Sequence, residues 1–568
     1  MILQAIVDTV EICARKGVKK VVISPGSRNA PITLAFARNP GIQSYVIPDE
    51  RSAGFIALGI AQKSKELVAL VCTSGSAVYN YAPAVAEAFY SHTPLIVISA
   101  DRPPEWIDQR DGQTIRQTGI LDSHVLGSYS FPDSVNHPDQ LWHAHRLVND
   151  AVNLATSTKP GPVHINVPLR EPFYPGQNDS FNPSENIRIV QSESPRSVLS
   201  KEQKENLQKE LSTSKNVLIV AGQGHWPQGL LDQLDNVSNE HHLPVVSDII
   251  SNCTSLPQSI LNQDLFLAGE NDKRDQALKP DLLITFGQSV ISKNLKLFIR
   301  KNKPIFHWHI DPSDEVADTF QSLTKVLHQN PEDFFKEFQS LNFSHSPEYA
   351  GHWKRYDNVG TTVLTHHVDG DFWELQAVAK ILTHLATGTQ LHLANSMPVR
   401  WANLINHQRK DLTVYANRGT SGIDGCLSAA VGCALSCTEP VVVILGDMSF
   451  FYDRNGLWHN HLPDNLRVIV LNNHGGGIFR LIEGPSNQPE LDEYFETHQK
   501  LTAENSCKDF NIEYSKTESR QQLEGVLSNF LDTTGQVKLL EIQTDSKTNK
   551  ALFSKLKTDI KEQLNKQQ

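Results

Sequence analysis

The sequence predicts an α/β protein of three consecutive doubly wound domains, each built on a parallel sheet. Two observations predict it. Short runs rich in Val, Ile and Leu alternate with helical patterns along the whole chain, and such unbroken runs suit parallel strands buried on both faces. The runs also fall into three blocks separated by polar stretches, and a chain of 568 residues should divide into about three cores. Domains are accordingly expected over 1–180, 195–345 and 365–568.

In the first block an amphipathic helix with Ile2, Ile6, Val10 and Cys13 on one face precedes strands expected at 20–24, 67–73, 94–100 and 162–167. A run rich in Asn, Ser and Pro over 177–200 closes it. The second block carries strands at 217–221, 244–248, 281–286 and 305–310, followed by an irregular charged stretch over 330–370. The third has strands at 390–395, 412–416, 441–445, 467–471 and 537–542. No short-period repeat and no low-complexity tract interrupts this rhythm.

Composition narrows the function classes. A formal charge of -11 argues against nucleic acid or an anionic membrane surface as partner, and 39% apolar content is enough for a core in each block of a large soluble enzyme. No apolar stretch approaches a transmembrane length, and Asp8, Glu11 and Arg15 occupy the region where a signal peptide needs apolar residues, so no integral membrane association is expected. The seven cysteines are odd in number and lack a CxxC pair, which fits reduced thiols in the cytoplasm. Cys433 and Cys437 share a helix face but read as small core residues. Gly222-Gln223-Gly224 resembles the start of a dinucleotide fingerprint, yet Pro227 stands at the third glycine position, so it reads as a plain turn. The pairs His241-His242 and His366-His367 lie in polar, loop-like surroundings and read as solvated. Neither a Gly-x-Ser-x-Gly elbow nor a His-Glu-x-x-His motif is present, which leaves hydrolase chemistry without support.

The richest signal is Leu445-Gly446-Asp447-Met448-Ser449, followed by Leu471-Asn472-Asn473-His474-Gly475-Gly476. Each follows an apolar run, so each should lie at the carboxyl end of a buried strand, the edge where open α/β sheets bind ligands. A carboxylate, an amide and a glycine-rich backbone offer hard oxygen donors, which suit Mg2+ carrying a diphosphate. The segment 449–465 between them is long enough for a crossover helix whose N-terminus would also favour phosphate. Taken alone, either cluster is an ordinary turn. The first block repeats the placement with Pro25-Gly26-Ser27-Arg28, Pro48-Asp49-Glu50-Arg51, Thr73-Ser74-Gly75-Ser76-Ala77 and Ala100-Asp101-Arg102-Pro103-Pro104.

Together these motifs resemble the pyrimidine-binding and diphosphate-binding domains of thiamine-diphosphate enzymes. Within that superfamily the chain is most similar to the 2-succinyl-5-enolpyruvyl-6-hydroxy-3-cyclohexene-1-carboxylate synthase family of menaquinone biosynthesis. The motifs that carry the resemblance are Ser24-Pro25-Gly26-Ser27-Arg28, Asp49-Glu50-Arg51, Ser99-Ala100-Asp101-Arg102-Pro103-Pro104, Gln113-Thr114-Ile115-Arg116-Gln117, Asn395-Ser396-Met397-Pro398-Val399-Arg400 and the run Asn417-Arg418-Gly419-Thr420-Ser421-Gly422-Ile423-Asp424-Gly425. They cover the first and third blocks and not the second.

The resemblance implies a carbon–carbon bond-forming transferase that decarboxylates 2-oxoglutarate and adds the succinyl unit to the conjugated position of isochorismate, with thiamine diphosphate and Mg2+ or Mn2+ as cofactors. It implies Glu50 as the partner of the aminopyrimidine N1′ and Ile423 as the wedge beneath the bent cofactor. It places Ser74, Gly75, Gly446, Met448, Ser449 and Gly476 against the cofactor, and Asp447, Asn473 and the Gly475 carbonyl on the metal. Ser396, Arg400 and Arg418 are implied for the succinyl part, and Ser27, Arg28, Arg102, Gln113 and Lys293 for isochorismate, with Ile478 and Phe479 also lining the substrate. Both substrates carry two carboxylates, which the fixed fork of arginine suits. The family's active sites lie between subunits, which implies a homodimer or homotetramer with Glu50 and Asp447 of one site on different chains. Three positions depart from the pattern: Met448 stands for the superfamily's glycine, Asn294 for a second basic residue, and His474 for asparagine. Two rival readings share the motifs. One is another thiamine-diphosphate decarboxylase or carboligase, which would not need the arginine cluster. The other is a catalytically inactive binding protein of the same fold, against which intact Glu50, Asp447 and Asn473 argue.

Overall fold

Three six-stranded sheets, every neighbouring pair of strands parallel, form the frame of the computed structural model. It describes residues 2–171, 173–174, 181–193, 197–341, 346–406, 409 and 411–566. The first sheet contains β1 (Lys20–Ile23), β2 (Gln43–Val46), β3 (Val68–Cys72), β4 (Leu95–Asp101), β5 (Ser128–Ser130) and β6 (Pro162–Pro168) in the order 2-1-3-4-6-5. The second contains β7 (Val217–Ala221), β8 (Val245–Ser247), β9 (Ser259–Ile260), β10 (Leu282–Phe286), β11 (Phe306–Ile310) and β12 (Lys325–Leu327) in the order 12-11-10-7-8-9. The third contains β13 (Gln390–Leu393), β14 (Thr413–Tyr415), β15 (Val441–Gly446), β16 (Leu466–Asn472), β17 (Glu513–Thr517) and β18 (Lys538–Gln543) in the order 14-13-15-16-18-17. The first and third sheets therefore share one topology. The doubly wound α/β class predicted by the apolar runs is the observed one.

The strands absent from the sequence reading, β2, β5, β9, β12 and β17, are all edge strands. An edge strand has only one neighbour and need not be apolar on both faces. Thus β2 and β5 are largely exposed or half-exposed, β17 buries only Thr517 fully, and β9 is two residues long. The irregular stretch expected over 330–370 needs a larger correction. It contains the helix Pro331–Phe338 and the 22-residue helix Pro347–Val368. The second buries Tyr349, Trp353, Tyr356, Val359, Gly360, Val363 and Leu364, a stripe of helical period that the intervening charges mask. His367 lies on this helix, buried, with Nε2 2.8 Å from Asp559, so the second histidine pair is not simply solvated. The run 177–200 lies partly outside the described residues, at 177–180 and 194–196. Its described part is held to the helix Pro138–Ala155, where Asn149 donates to Arg188 O at 3.1 Å and accepts from Val190 N at 2.7 Å.

All seven thiols are unpaired, and among the described residues no helix is long and apolar enough to cross a membrane. The N-terminal helix Ile2–Arg15 buries Ile6, Val10 and Cys13 as expected, and also Asp8, whose carboxylate accepts from Ser184 N and Ser184 Oγ and pairs with His145.

The first and third domains share one core. Phe55, Ile56 and Ile60 of the helix Glu50–Ser64 pack with Leu427, Ala430 and Val431 of the helix Cys426–Ala434. The two backbones touch. A Cβ on Gly59 would sit 1.9 Å from Ala429 O, and one on Gly432 would sit 2.1 Å from Ile56 O. Gly59→Ala should therefore lower the apparent melting temperature, with a cost of about 1–3 kcal/mol or more for overpacking. Gly525→Ala is the control, because nothing lies within 4 Å of that position on the helix Arg520–Leu531. There the better helix propensity of alanine should hold or raise the melting temperature, and thermal scans of the two variants check the contrast.

Candidate functional site

The carboxyl ends of β13, β14, β15 and β16 surround a cavity of about 420 Å3. It lies where the strand order of the third sheet reverses, the place at which an open α/β sheet leaves a crevice. Asn395, Ser396 and Arg400 reach it from the turn and helix after β13, Arg418 and Ile423 from the loop after β14, Gly446, Asp447, Met448 and Ser449 from the end of β15, and Asn473, Gly475 and Gly476 from the loop after β16. Ile478 and Phe479 close one wall. The residues named from the third block thus share one chamber.

Its loops are tied to one another by Asn395. The Nδ2 of this buried amide donates to Asn417 O at 2.7 Å and Gly422 O at 2.6 Å, while its Oδ1 accepts from Arg418 Nη1 at 2.8 Å. Ser396 holds φ 74°, a conformation disfavoured for a side-chain-bearing residue, and its carbonyl accepts from Arg400 Nη1. Neither Arg400 nor Arg418 has a carboxylate at ion-pair distance among the described residues. Burial lowers the pKa of both, and their mutual repulsion lowers that of Arg418 further. Asp264 attracts Arg400, and Asp248 and Glu87 attract Arg418, only from beyond ion-pair distance, so the two guanidiniums remain open to an anion.

The opposite side of the chamber is acidic. Asp447 is 1% exposed, and burial pushes its carboxyl up to about 7, against the hydrogen bond from Gln499 Nε2 at 2.6 Å and with the reinforcement of nearby Glu374. Asn473 donates Nδ2 to Glu374 Oε1 at 2.6 Å, and its buried Oδ1 meets no partner. Gly475 leaves no room for a side chain, since a Cβ would lie 2.6 Å from Glu496 O. Asp447, Asn473 Oδ1 and the Gly475 carbonyl are the oxygen donors this loop pair offers a hard cation. A charge-destabilised carboxylate beside an unsatisfied amide oxygen fits such an ion. No group of three or more His, Cys, Asp or Glu suited to a metal occurs among the described residues, and this oxygen set contains only one of those types.

Several expectations are modified. Ile423 is 37% exposed, so it belongs to the chamber surface and not to the core, and Ser449 Oγ fixes its carbonyl at 2.6 Å. The crossover helix expected over 449–465 begins earlier, at Asp447, and runs only to Asp453 before the tighter turn Arg454–Leu457. His474 sits at φ 66° and its carbonyl accepts from Gln499 N at 2.9 Å, a left-handed turn position that asparagine also suits. Lys293 is exposed and does not line the chamber. Lys296 of the same helix does not line it either, but is half-buried, its pKa lowered by desolvation and by the nearby Arg418.

The first-block residues gather elsewhere. Ser74 Oγ donates to Gln113 O at 3.0 Å, and Gly75 N to Gln117 Oε1 at 3.2 Å. Arg28 is buried, donating Nη1 to Leu169 O at 2.6 Å and lying 4.6 Å from the Phe173 ring centre, whereas the preceding Ser27 is exposed. Arg102 pairs with Asp111 at 3.3 Å and lines a separate cleft of about 570 Å3. Glu50 opens the helix that Asp49 caps through Arg51 N and Ser52 N, while Arg51 turns to Tyr452 instead of pairing with Glu50. Among the described residues, none of the first domain lines the chamber.

Sequence reasoning missed Glu374, Gln499 and Trp401. Glu374 is 2% exposed and accepts from Trp401 Nε1 at 2.6 Å. The only local hint was a carboxylate lodged between Trp373 and Leu375. Nothing near Gln499 marks it, because its partner lies 52 residues away in the chain.

Three family models match the chain. They are the thiamine pyrophosphate enzyme N-terminal TPP binding domain over 5–120, the middle domain over 188–393, and the C-terminal TPP binding domain over 396–542. A 2-succinyl-5-enolpyruvyl-6-hydroxy-3-cyclohexene-1-carboxylate synthase of Cytophaga hutchinsonii is 42% identical and covers 99% of both chains. The chain belongs to this synthase family. Synthases of the same name from Porphyromonas gingivalis, 38% identical over 93% of this chain and 92% of the relative, and Flavobacterium psychrophilum, 40% identical over 95% and 96%, agree with that membership. The N- and C-terminal matches fall on the two domains that share a sheet topology, and both are thiamine-diphosphate-binding models.

Proposed function

We propose that the chain is a thiamine-diphosphate-dependent synthase that decarboxylates 2-oxoglutarate and adds the succinyl unit to isochorismate, forming 2-succinyl-5-enolpyruvyl-6-hydroxy-3-cyclohexene-1-carboxylate in menaquinone biosynthesis. The observation that carries the reading is the single chamber lined both by Asp447, Asn473 and Gly475 and by Arg400 and Arg418, whose guanidiniums form no ion pair among the described residues. Thiamine diphosphate, when bound, supplies the nucleophilic carbon and electron sink that loss of carbon dioxide from a 2-oxoacid requires.

The protein's own groups supply the rest. Asp447, Asn473 Oδ1 and the Gly475 carbonyl hold Mg2+, with Mn2+ as a substitute, against the diphosphate. Arg400 and Arg418 take the distal carboxylate of 2-oxoglutarate, and Ser396 orients it. Ile423 supports the cofactor, while Ile478 and Phe479 exclude water. Glu50 holds the proton at the pyrimidine N1′, and Ser74 and Gly75 line the pyrimidine side. Ser27, Arg28, Arg102 and Gln113 receive the acceptor, with Lys296 a better-placed neighbour of the arginines than Lys293. None of the first-domain groups lines the chamber of its own chain, so we assign the completed site to two chains, in a homodimer or a larger even assembly. The unpaired thiols suit a cytoplasmic location.

Incubation with thiamine diphosphate, Mg2+, 2-oxoglutarate and isochorismate, with the product identified by mass, tests the reading. Pyruvate lacks the distal carboxylate and would leave two half-buried guanidiniums without it, so it should fall short of 2-oxoglutarate by about a hundredfold or more in kcat/KM. Arg28→Ala and Arg102→Ala should impair use of isochorismate while sparing release of carbon dioxide in the first half-reaction. Pyruvate as good as 2-oxoglutarate, or loss of the first half-reaction in those variants, would sink the assignment.

Asp447→Ala should abolish metal-dependent binding of thiamine diphosphate without unfolding the apoprotein, because it removes both a ligand and the charge that balances the cation. Calorimetric titration with cofactor and Mg2+ checks this. Unchanged affinity would contradict the metal assignment.

A further inference from the structure

One buried carboxylate in the chamber wall joins two of its elements. Glu374 opens the helix Glu374–His384, is 2% exposed, and has no cationic partner at ion-pair distance among the described residues. Its charge is instead met by neutral donors. Trp401 Nε1 lies 2.6 Å from Oε2, Asn473 Nδ2 lies 2.6 Å from Oε1, and Thr544 Oγ1 lies 3.3 Å from Oε1. Trp401 belongs to the helix Met397–Leu404, directly after Arg400 in the chain, whereas Asn473 belongs to the loop after β16. The carboxylate therefore fastens the arginine-bearing helix to the proposed metal loop.

The chemistry of the contact decides which end of Asn473 faces the chamber. A carboxylate only accepts, so the end of the amide that meets it must be the NH2 group. The other end, Oδ1, is then turned away from Glu374, and it is buried without a protein partner. With the opposite orientation the loop would present two N–H groups to a cation, which repel it.

We propose that Glu374 is a positioning residue that fixes the Asn473 side-chain amide so that Oδ1 is presented to the divalent cation. The inference rests on Asn473 being a ligand of that cation. It adds that the ligand's orientation is set by a neighbouring carboxylate whose two oxygens are taken up by Trp401, Asn473 and Thr544. Partners of this kind commonly govern metal affinity by about 10- to 100-fold.

Glu374→Gln is the test. A buried glutamine has one acceptor oxygen, which Trp401 Nε1 claims, so its NH2 would face Asn473 and force that amide to turn. In the presence of thiamine diphosphate, Mg2+ affinity measured by calorimetry should fall by about 10- to 100-fold while circular dichroism stays that of the wild type. The exchange variant E374Q/N473D restores the pattern with the same number of charges. The glutamine NH2 donates to the new carboxylate, whose second oxygen faces the ion, and Mg2+ affinity should return to within a few-fold of wild type. Asn473→Ala, measured alongside, separates the two levels of the argument. If it binds Mg2+ normally, the ligand reading itself fails. If it loses Mg2+ while folded Glu374→Gln does not, only the positioning role fails. Should Glu374→Gln not fold, the exchange variant carries the test by itself. Weak Mg2+ binding by a folded exchange variant, or failure of both variants to fold, would assign Glu374 to the fold and overturn the proposal.

Discussion

The contact between the backbones of two helices, Glu50–Ser64 from the first domain and Cys426–Ala434 from the third, is the constraint on which the arrangement depends. Glycines at 59 and 432 bring each helix against a carbonyl of the other, at a separation that any side chain would enlarge. Because the apolar residues of both helices enter one core, the two sheets are carried as a single body. Asp49 adds a polar tie, its carboxylate accepting from Asn455 Nδ2 at 2.7 Å in the turn that follows the Asp447 helix. Glu50 lies between Asp49 and Arg51, which contact Asn455 and Tyr452, while Asp447 lines the chamber.

Within the third domain, the chamber collects charges that the protein does not neutralise. Buried Asp447 and Glu374 lie on one side, and Arg400 and Arg418 lie on the other without joining them in ion pairs. Desolvating an isolated charge costs several kcal/mol, and the usual remedy is direct pairing across a short distance. Here the opposite signs are not joined in ion pairs, which on the proposed reading leaves the oxygens to a cation and the guanidiniums to a substrate carboxylate. Asn395 and Glu374 brace the chamber, the first by tying the turn after β13 to the loop after β14 and the second by joining the Asn473 loop to the Arg400 helix. The strained φ of Ser396 fits the same description, since its turn lets the carbonyl hold Arg400.

Much of the fold was legible because parallel strands buried on both faces must be apolar throughout. Strands such as β4 and β15 announce themselves, whereas edge strands such as β2 and β5 do not. The helix Pro347–Val368 was hidden because its apolar stripe is one residue in three or four, diluted by Glu348, Lys354, Arg355 and Asp357. At the site, the residues that line the chamber sit after strands and could be read from their motifs. Asp447, Asn473, Arg400 and Arg418 are of this kind, and the chamber brings them together. Residues that act from behind could not be read. Glu374 meets Asn473 across 99 positions and Gln499 meets Asp447 across 52, and no local pattern encodes such a pairing. Lys293 was placed by motif position alone, and the helix that begins there leaves it exposed while half-burying Lys296, one turn on.

On the proposed reading, a working site takes its Asp447 from one chain and its Glu50 from another. Co-expression of Glu50→Gln with Asp447→Ala, each inactive by itself, measures it directly. Random pairing makes half of the dimers mixed, and each mixed dimer has one site with both defects and one with neither, so the mixture should recover about a quarter of wild-type activity. Activity no greater than that of the two parents, in a preparation shown by mass to contain mixed dimers, would contradict the account and place both groups in the site of a single chain.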